Sequence, residues 1–167
     1  EHVFKMNRTS YFMRQMEENT DKISEEEYKK LIDIRKKRIP LQHITGHQEF
    51  MGFDFKVNEN TLIPRQDTEI LVEKTIEIVK NCEKTMPEVL DMCTGSGCIA
   101  VSIAKNMENA KITASDVSKE ALAVAQENIR IHNAKNVNII YSDLFENIEG
   151  KFDVIVSNPP YIESDVI

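Results

Sequence analysis

The chain has 167 residues, 41% hydrophobic and 29% charged, the composition of a folded chain long enough for one domain and a small appendage rather than of a disordered or fibrous one. Its longest apolar runs, such as Val154-Ile155-Val156, fall far short of the roughly 18 residues needed to span a bilayer, which excludes a membrane protein. Three cysteines, Cys82, Cys93 and Cys98, and the lack of an opening signal segment argue against a secreted disulfide scaffold and make the cytoplasm the expected compartment.

The net charge of −7 divides unevenly, with +2 on residues 1–45 and −9 on residues 46–167, so two regions with different surfaces are expected. Such a balance argues against a protein that grips phosphate backbones along its whole surface. The first region, 1–45, reads as helical. Thr9 or Ser10 can cap a helix through about Glu18, and Ser24-Glu25-Glu26-Glu27 is a capping box ahead of Tyr28, Leu31, Ile32 and Arg35, with Pro40 as the stop. Arg35-Lys36-Lys37-Arg38 reads as a solvated last turn favoured by the helix dipole, with contact to an acidic partner as the second reading. From Gly46 the period becomes two, and Phe50, Phe53, Phe55 and Val57, then Asn58-Glu59-Asn60 and Thr61-Leu62-Ile63, predict a hairpin over 46–64 that joins the regions, its phenylalanines packed between them. His43 and His47 read as hairpin or interface histidines. Asp67 can cap a helix carrying Ile70, Leu71, Ile76, Ile78 and Val79. Beyond Pro87 come strand 88–92, helix 97–106, strand 111–115, helix 118–132, strand 137–141 and strand 152–157, a series of βα units feeding a parallel sheet over 65–167.

Asp91-Met92-Cys93-Thr94-Gly95-Ser96-Gly97-Cys98 falls where the first of these strands turns into its helix. Glycines there let the backbone pass close under a ligand, and the free N–H groups of the helix start favour an electron-rich group. Read as G-x-G-x-x-A from Gly95 to Ala100, the stretch does not separate a nicotinamide cofactor from S-adenosylmethionine. Asp116, 21 residues past Gly95, ends the second strand, where a carboxylate accepts the hydroxyls of a ribose; Ser118 remains available to cap the next helix. Asp143 follows the third strand and can accept from an adenine amine, with Leu144 and Phe145 as an apolar wall. The spacing of Cys93 and Cys98 is wrong for a zinc knuckle.

The fourth strand runs directly into Asn158-Pro159-Pro160-Tyr161. Two prolines stiffen the backbone and carry no N–H, leaving the carbonyls of Asn158 and Pro159 free to accept; the Asn158 side chain adds an oxygen and Tyr161 an aromatic face. Together these suit a planar –NH2 group. An amide or arylamine nitrogen is a poor nucleophile because its lone pair is delocalised, so acceptors that hold it and favour developing positive charge assist its attack on an electrophilic methyl, and its proton can leave afterwards.

The tetrapeptide, glycine turn and Asp116 resemble the amino-methyltransferases of the S-adenosylmethionine-dependent Rossmann class. Pro40-Leu41-Gln42-His43-Ile44-Thr45-Gly46, Leu62-Ile63-Pro64-Arg65-Gln66-Asp67-Thr68-Glu69 and Thr94-Gly95-Ser96-Gly97-Cys98-Ile99-Ala100 narrow this to a resemblance to the HemK/PrmC family, covering about residues 35–167. That resemblance implies an α/β, Rossmann-like class I sheet with a small N-terminal helical domain that docks the substrate, S-adenosyl-L-methionine as cofactor, and methylation of the glutamine in the Gly-Gly-Gln tip of peptide chain release factors during translation termination. Carried over by position, the cofactor site falls on Thr94, Gly95, Gly97, Asp116, Asp143 and Leu144. The catalytic turn falls on Asn158, Pro159 and Tyr161; Pro160, Arg65 and Glu69 join these as substrate-binding residues. Cys93 stands where the family has a glycine, and Gln66 where it has a proline. A monomer without membrane or direct nucleic-acid binding is expected.

The alternatives are a DNA or RNA adenine methyltransferase, disfavoured by the −9 of residues 46–167, and a nicotinamide-dependent oxidoreductase, which leaves Asn158–Tyr161 unexplained. A class I sheet has seven strands and only four parallel ones are placed here, so the chain reads as part of a longer protein, with an open edge at its last strand.

Overall fold

A computed structural model describes residues 2–3, 6–14 and 22–160. The chain divides into two compact units, residues 1–46 and 47–167.

In the first unit α1 spans Arg8–Arg14, α2 Lys22–Lys36 and α3 Leu41–Thr45. The cap of α1 is Asn7, whose Oδ1 accepts from the Ser10 backbone N–H at 2.8 Å; Thr9 and Ser10, expected as caps, lie inside the first turn, and Glu18 lies outside the described residues. Likewise α2 begins at Lys22, so Ser24 is an internal residue rather than a cap. Pro40 does not stop that helix. It ends at Lys36, and Arg38, with φ of 65°, turns the chain; Pro40 instead precedes α3, where its missing N–H costs nothing. The basic cluster is solvated as expected, with Arg35 donating to the Ile39 carbonyl at 3.0 Å and Lys36 paired with Asp33.

The second unit opens with a hairpin of β1, His47–Phe50, and β2, Phe53–Lys56, in register Phe50 to Phe53. Its turn is Met51-Gly52, both at positive φ, as a two-residue hairpin requires. The sequence placed the reversal at Asn58-Glu59-Asn60; those residues form a separate turn in which Asn58 Oδ1 accepts from Asn60 N, and Thr61-Leu62-Ile63 is not a strand. Phe50 and Phe55 are buried in this unit's core with Val72, Ile76 and Val79. His47 pairs with Asp54 across the hairpin at 2.9 Å. The following helix, α4, spans Asp67–Lys80. Gln66 holds its cap position without a side-chain bond, so Asp67 is the first helical residue and not the cap, although its charge suits the helix dipole. Val72, Thr75, Ile76 and Val79 form its buried stripe, while Ile70 and Ile78 face solvent.

The remaining elements alternate as predicted: β3, Glu88–Met92; α5, Cys98–Asn106; β4, Lys111–Asp116; α6, Lys119–Ile131; β5, Val137–Tyr141; and β6, Val154–Ser157. All four strands are parallel in the order β5-β4-β3-β6. Two βα steps carry the chain outward from β3, and β6 then returns to the other side of β3. The strand order therefore reverses between β3 and β6, the place where open parallel sheets leave a crevice at their carboxyl ends. β3 is buried from Val89 to Met92, and α5 is buried from Cys98 to Ala104, which is why both read as nearly continuous apolar runs. Ser118 caps α6, its Oγ accepting from Ala121 N at 3.1 Å. Among the described residues no helix is long and apolar enough to cross a membrane.

Candidate functional site

The register of β3 against β6 pairs Met92 with Ser157, and Ser157 Oγ donates to the Met92 carbonyl at 2.7 Å. The next residue on each strand is therefore Cys93, opening the glycine turn, and Asn158, opening the proline turn. Leu62 and Pro64, from the segment leading into α4, and Thr68, in that helix's first turn, line one small cleft with Cys93, Thr94 and Asn158. Sequence reading gave Thr68 no role; its Oγ1 accepts from Asn158 Nδ2 at 3.2 Å.

The glycine turn is held from below by Asp91, which is fully buried. Its Oδ2 accepts from Thr94 Oγ1 at 2.5 Å and from Ala100 N at 3.1 Å, and its Oδ1 has no protein partner. Burial pushes the Asp91 carboxyl up to about 7 against those two hydrogen bonds, with the charge of Asp116 adding to the rise. Only its place at the end of an apolar strand, just before the turn, could have drawn attention to it in the sequence. From above, Asp116 Oδ2 accepts from Gly95 N at 2.9 Å and Oδ1 from Ser118 N at 3.0 Å, so this carboxylate ties the turn to the start of α6. Each of its oxygens keeps a further lone pair.

Gly95 and Gly97 both adopt left-handed backbone, at φ of 55° and 77°, for different reasons. A Cβ at Gly97 would meet Ala125 Cβ at 3.1 Å, so α6 requires glycine there; a Cβ at Gly95 would meet nothing within 4 Å and would project into open space. Cys93, at φ of 61°, occupies the same backbone region, which explains why a glycine suits this position. Burial raises the Cys93 thiol pKa against a hydrogen bond with Ser157, and the charges of Asp116, Asp91 and Asp143 add to the rise. Cys98 is buried and pushed up to about 12. Both thiols are thus protonated at neutral pH and poor nucleophiles.

Asp143, Leu144 and Phe145 are exposed after β5, and Ser142 shapes their loop by donating to the Leu144 carbonyl at 2.8 Å and accepting from Asn147 N at 3.0 Å. Of the mouth residues, Glu69 is committed locally, its Oε1 accepting from Met51 N at 2.7 Å, while Arg65 is exposed and its guanidinium makes no ion pair among the described residues. Neither borders the cleft that Thr68 lines. Asn158 is half-buried, Pro159 and Pro160 are exposed, and Tyr161 lies outside the described residues.

Residues 67–166 match the methyltransferase small domain and residues 1–46 the PrmC N-terminal domain. The chain belongs to the HemK/PrmC family of methyltransferases. Relatives within that family include release factor glutamine methyltransferases of Fusobacterium nucleatum, 43% identical over 89% of this chain and 41% of the relative, and of Lactococcus lactis, 46% identical over 87% and 53%. One from Thermodesulfovibrio yellowstonii is 40% identical over 99% and 59%. The chain spans about half the length of the curated relatives it matches. Among solved structures, a ribosomal protein L11 methylase of Lactobacillus delbrueckii aligns with a TM-score of 0.50 and 28% identity over 60% of this chain and 50% of that one. A SAM-dependent methyltransferase of Agrobacterium tumefaciens aligns with a TM-score of 0.57 and 19% identity over 68% and 39%, a likeness of fold.

The crevice of this HemK/PrmC chain fits S-adenosylmethionine, the cofactor of its methyltransferase class. That molecule carries a sulfonium and an ammonium, and Asp116, at the end of β4, and Asp143, just past the end of β5, are paired with no lysine or arginine among the described residues. Open space over Gly95 and the unpartnered Asp91 Oδ1 complete the fit.

Proposed function

We propose that this chain takes part in the transfer of a methyl group from S-adenosyl-L-methionine to the side-chain amide nitrogen of the glutamine in the Gly-Gly-Gln motif of peptide chain release factors. The observation that carries the reading is the pairing of Met92 with Ser157, which sets the glycine turn and Asn158 side by side where the strand order reverses. The family match and the names of the relatives narrow the acceptor from any planar –NH2 to a protein glutamine.

When bound, S-adenosylmethionine supplies an electrophilic methyl on a sulfonium. Thr94, Gly95 and Gly97 would offer it backbone, Asp116 would accept from its ribose hydroxyls, and Asp143 with Leu144 would hold its base. Asn158 and Pro159 accept from the two amide hydrogens of the substrate and hold its nitrogen in line with the methyl. Tyr161 provides the ring beneath the amide plane, and Pro160 keeps the turn stiff. Arg65 and Glu69 act at the mouth, Glu69 by fixing the Met51 turn. The proton leaves the nitrogen after attack, so no group need deprotonate an amide beforehand. The protein works as a monomer without gripping nucleic acid, in the cytoplasm.

Incubating the full chain with methyl-labelled cofactor and a release factor is expected to label the Gly-Gly-Gln glutamine; label that appears only on DNA or RNA, or not at all, overturns the assignment. Asn158→Ala is expected to keep cofactor affinity within about twofold and to lower kcat by roughly 100-fold or more, since it removes an acceptor used as charge develops. Calorimetric titration of the cofactor alongside steady-state rates separates the two effects.

A further inference from the structure

We propose that Thr68 is a positioning residue for this reaction, its hydroxyl fixing which end of the Asn158 side chain is offered to the substrate amide. The inference rests on the methyl-transfer reading above. It begins from the symmetry of an asparagine amide, whose two ends are nearly identical in shape and opposite in hydrogen-bond character. With Oδ1 toward an incoming –NH2 the side chain accepts; with Nδ2 toward it, N–H groups confront N–H groups. The torsion that decides this is broad and weakly restrained in asparagine, so the choice has to come from a neighbour.

Among the described residues, nothing in Asn158's own segment supplies that neighbour. Pro159 and Pro160 have no N–H, and the described contact of the side chain is Nδ2 donating to Thr68 Oγ1 at 3.2 Å, across 90 residues of sequence. A hydroxyl can donate as well as accept, but only the orientation found here satisfies both ends of the amide once an –NH2 enters: Nδ2 on Thr68 and Oδ1 on the substrate.

Thr68 is itself firmly placed. It is the second residue of α4, its N–H donates to the Arg65 carbonyl at 3.0 Å, and its side chain is half-buried in the cleft that Cys93 and Asn158 also line. The helix behind it is anchored by buried Val72, Ile76 and Val79, and one residue on, Glu69 accepts from Met51 N. The hydroxyl therefore sits on a rigid element, which is what positioning an acceptor to within about half an ångström demands.

Thr68→Val, which keeps the shape and removes the hydroxyl, is expected to lower kcat roughly 5- to 10-fold, the range a lost neutral hydrogen bond produces, with the KM for cofactor unchanged. Thr68→Ser is expected to restore the rate. A structural role alone would move the melting temperature and the KM but not this split. The side-chain amide protons of Asn158, followed by NMR in the unsubstituted protein, are expected to be slowed in exchange with water and to shift in Thr68→Val. A Thr68→Val variant with unchanged kcat overturns the proposal. So do Asn158 amide protons that exchange freely in the unsubstituted protein, a readout that stands even if the valine variant fails to fold. Slowed Asn158 protons in a protein that labels no glutamine would instead overturn the methyl-transfer reading and remove the basis of this one.

Discussion

At the scale of single residues, the two glycines of the cofactor turn should respond differently to the same substitution. Gly95→Ala meets no atoms and pays only for left-handed backbone, about 1–2 kcal/mol of stability, but sets a methyl where a ligand would approach. Gly97→Ala adds a clash with Ala125 Cβ at 3.1 Å and is expected to cost about 2–4 kcal/mol. Urea unfolding paired with cofactor titration checks both; equal stability losses would contradict the distinction. Asp91 carries a pH prediction. Its folded pKa of about 7 lies above that of the unfolded chain, so the folded state binds the proton more tightly, and the stability this supplies is fully present at low pH and lost as pH rises from about 4 through 7. Asp91→Asn has no such proton to lose. The stability difference, wild type minus variant, should therefore fall between pH 4 and pH 8 and flatten above, as urea midpoints at intervals of one pH unit would show. Part of the candidate site's arrangement was legible at this scale, since the fold joins Gly95 to Asp116 and sets Asn158 beside the glycine turn, residues whose chemistry their spacing exposes. Asp91 and Thr68 were not legible, since an acid in an apolar strand and a threonine in a helical first turn acquire their roles only from what folds against them.

At the scale of elements, parallel strands and their helices were readable because burial on both faces leaves continuous apolar runs, and Ser118 was readable as a cap because its helix follows at once. Boundaries failed where tertiary packing outweighed local signals. Asn58-Glu59-Asn60 looks more like a hairpin turn than Met51-Gly52 does, yet Met51 holds a φ of 52° because its N–H is bound by Glu69 and the flanking Phe50 and Phe55 are drawn into the core. Packing likewise gives Asn128 a part that no helical periodicity announces. Fully buried on α6, its Oδ1 accepts from Lys56 N at 2.8 Å while Nδ2 donates to the Lys56 carbonyl at 3.0 Å and the Ser96 carbonyl at 2.8 Å. One side chain thus joins the end of β2 to the glycine turn. Asn128→Ala strips partners from three backbone groups and is expected to destabilise the fold by about 2–4 kcal/mol, with a loss of cofactor affinity beyond the unfolded fraction because Ser96 lies in the turn. Thermal melts with and without cofactor test this; an affinity unchanged in the folded population would confine Asn128 to stability.

At the scale of the whole molecule, strand order is what turns separate motifs into a site. No local feature of β6 shows that it returns beside β3 rather than extending the sheet past β5; the apolar run is the same in either case, and only the position of the crevice differs. The return sets two turns on adjacent strands whose paired ends, Met92 and Ser157, lie 65 residues apart in the chain. Charge bears on the choice between protein and nucleic-acid substrates. Residues 46–167 carry −9, and an enzyme that held a duplex through 6–10 phosphates would lose roughly 10³–10⁵ in affinity between 50 and 200 mM salt. For the proposed methyl transfer to a release factor, kcat/KM should change by less than about tenfold over that interval, because the amide recognition proposed for Asn158 and Pro159 would depend on short hydrogen bonds that salt screens little. Rates measured at four or five salt concentrations decide it: a slope as steep as that of phosphate-backbone binding would show that the acceptor is held through a charged polymer, against the assignment to a glutamine side chain.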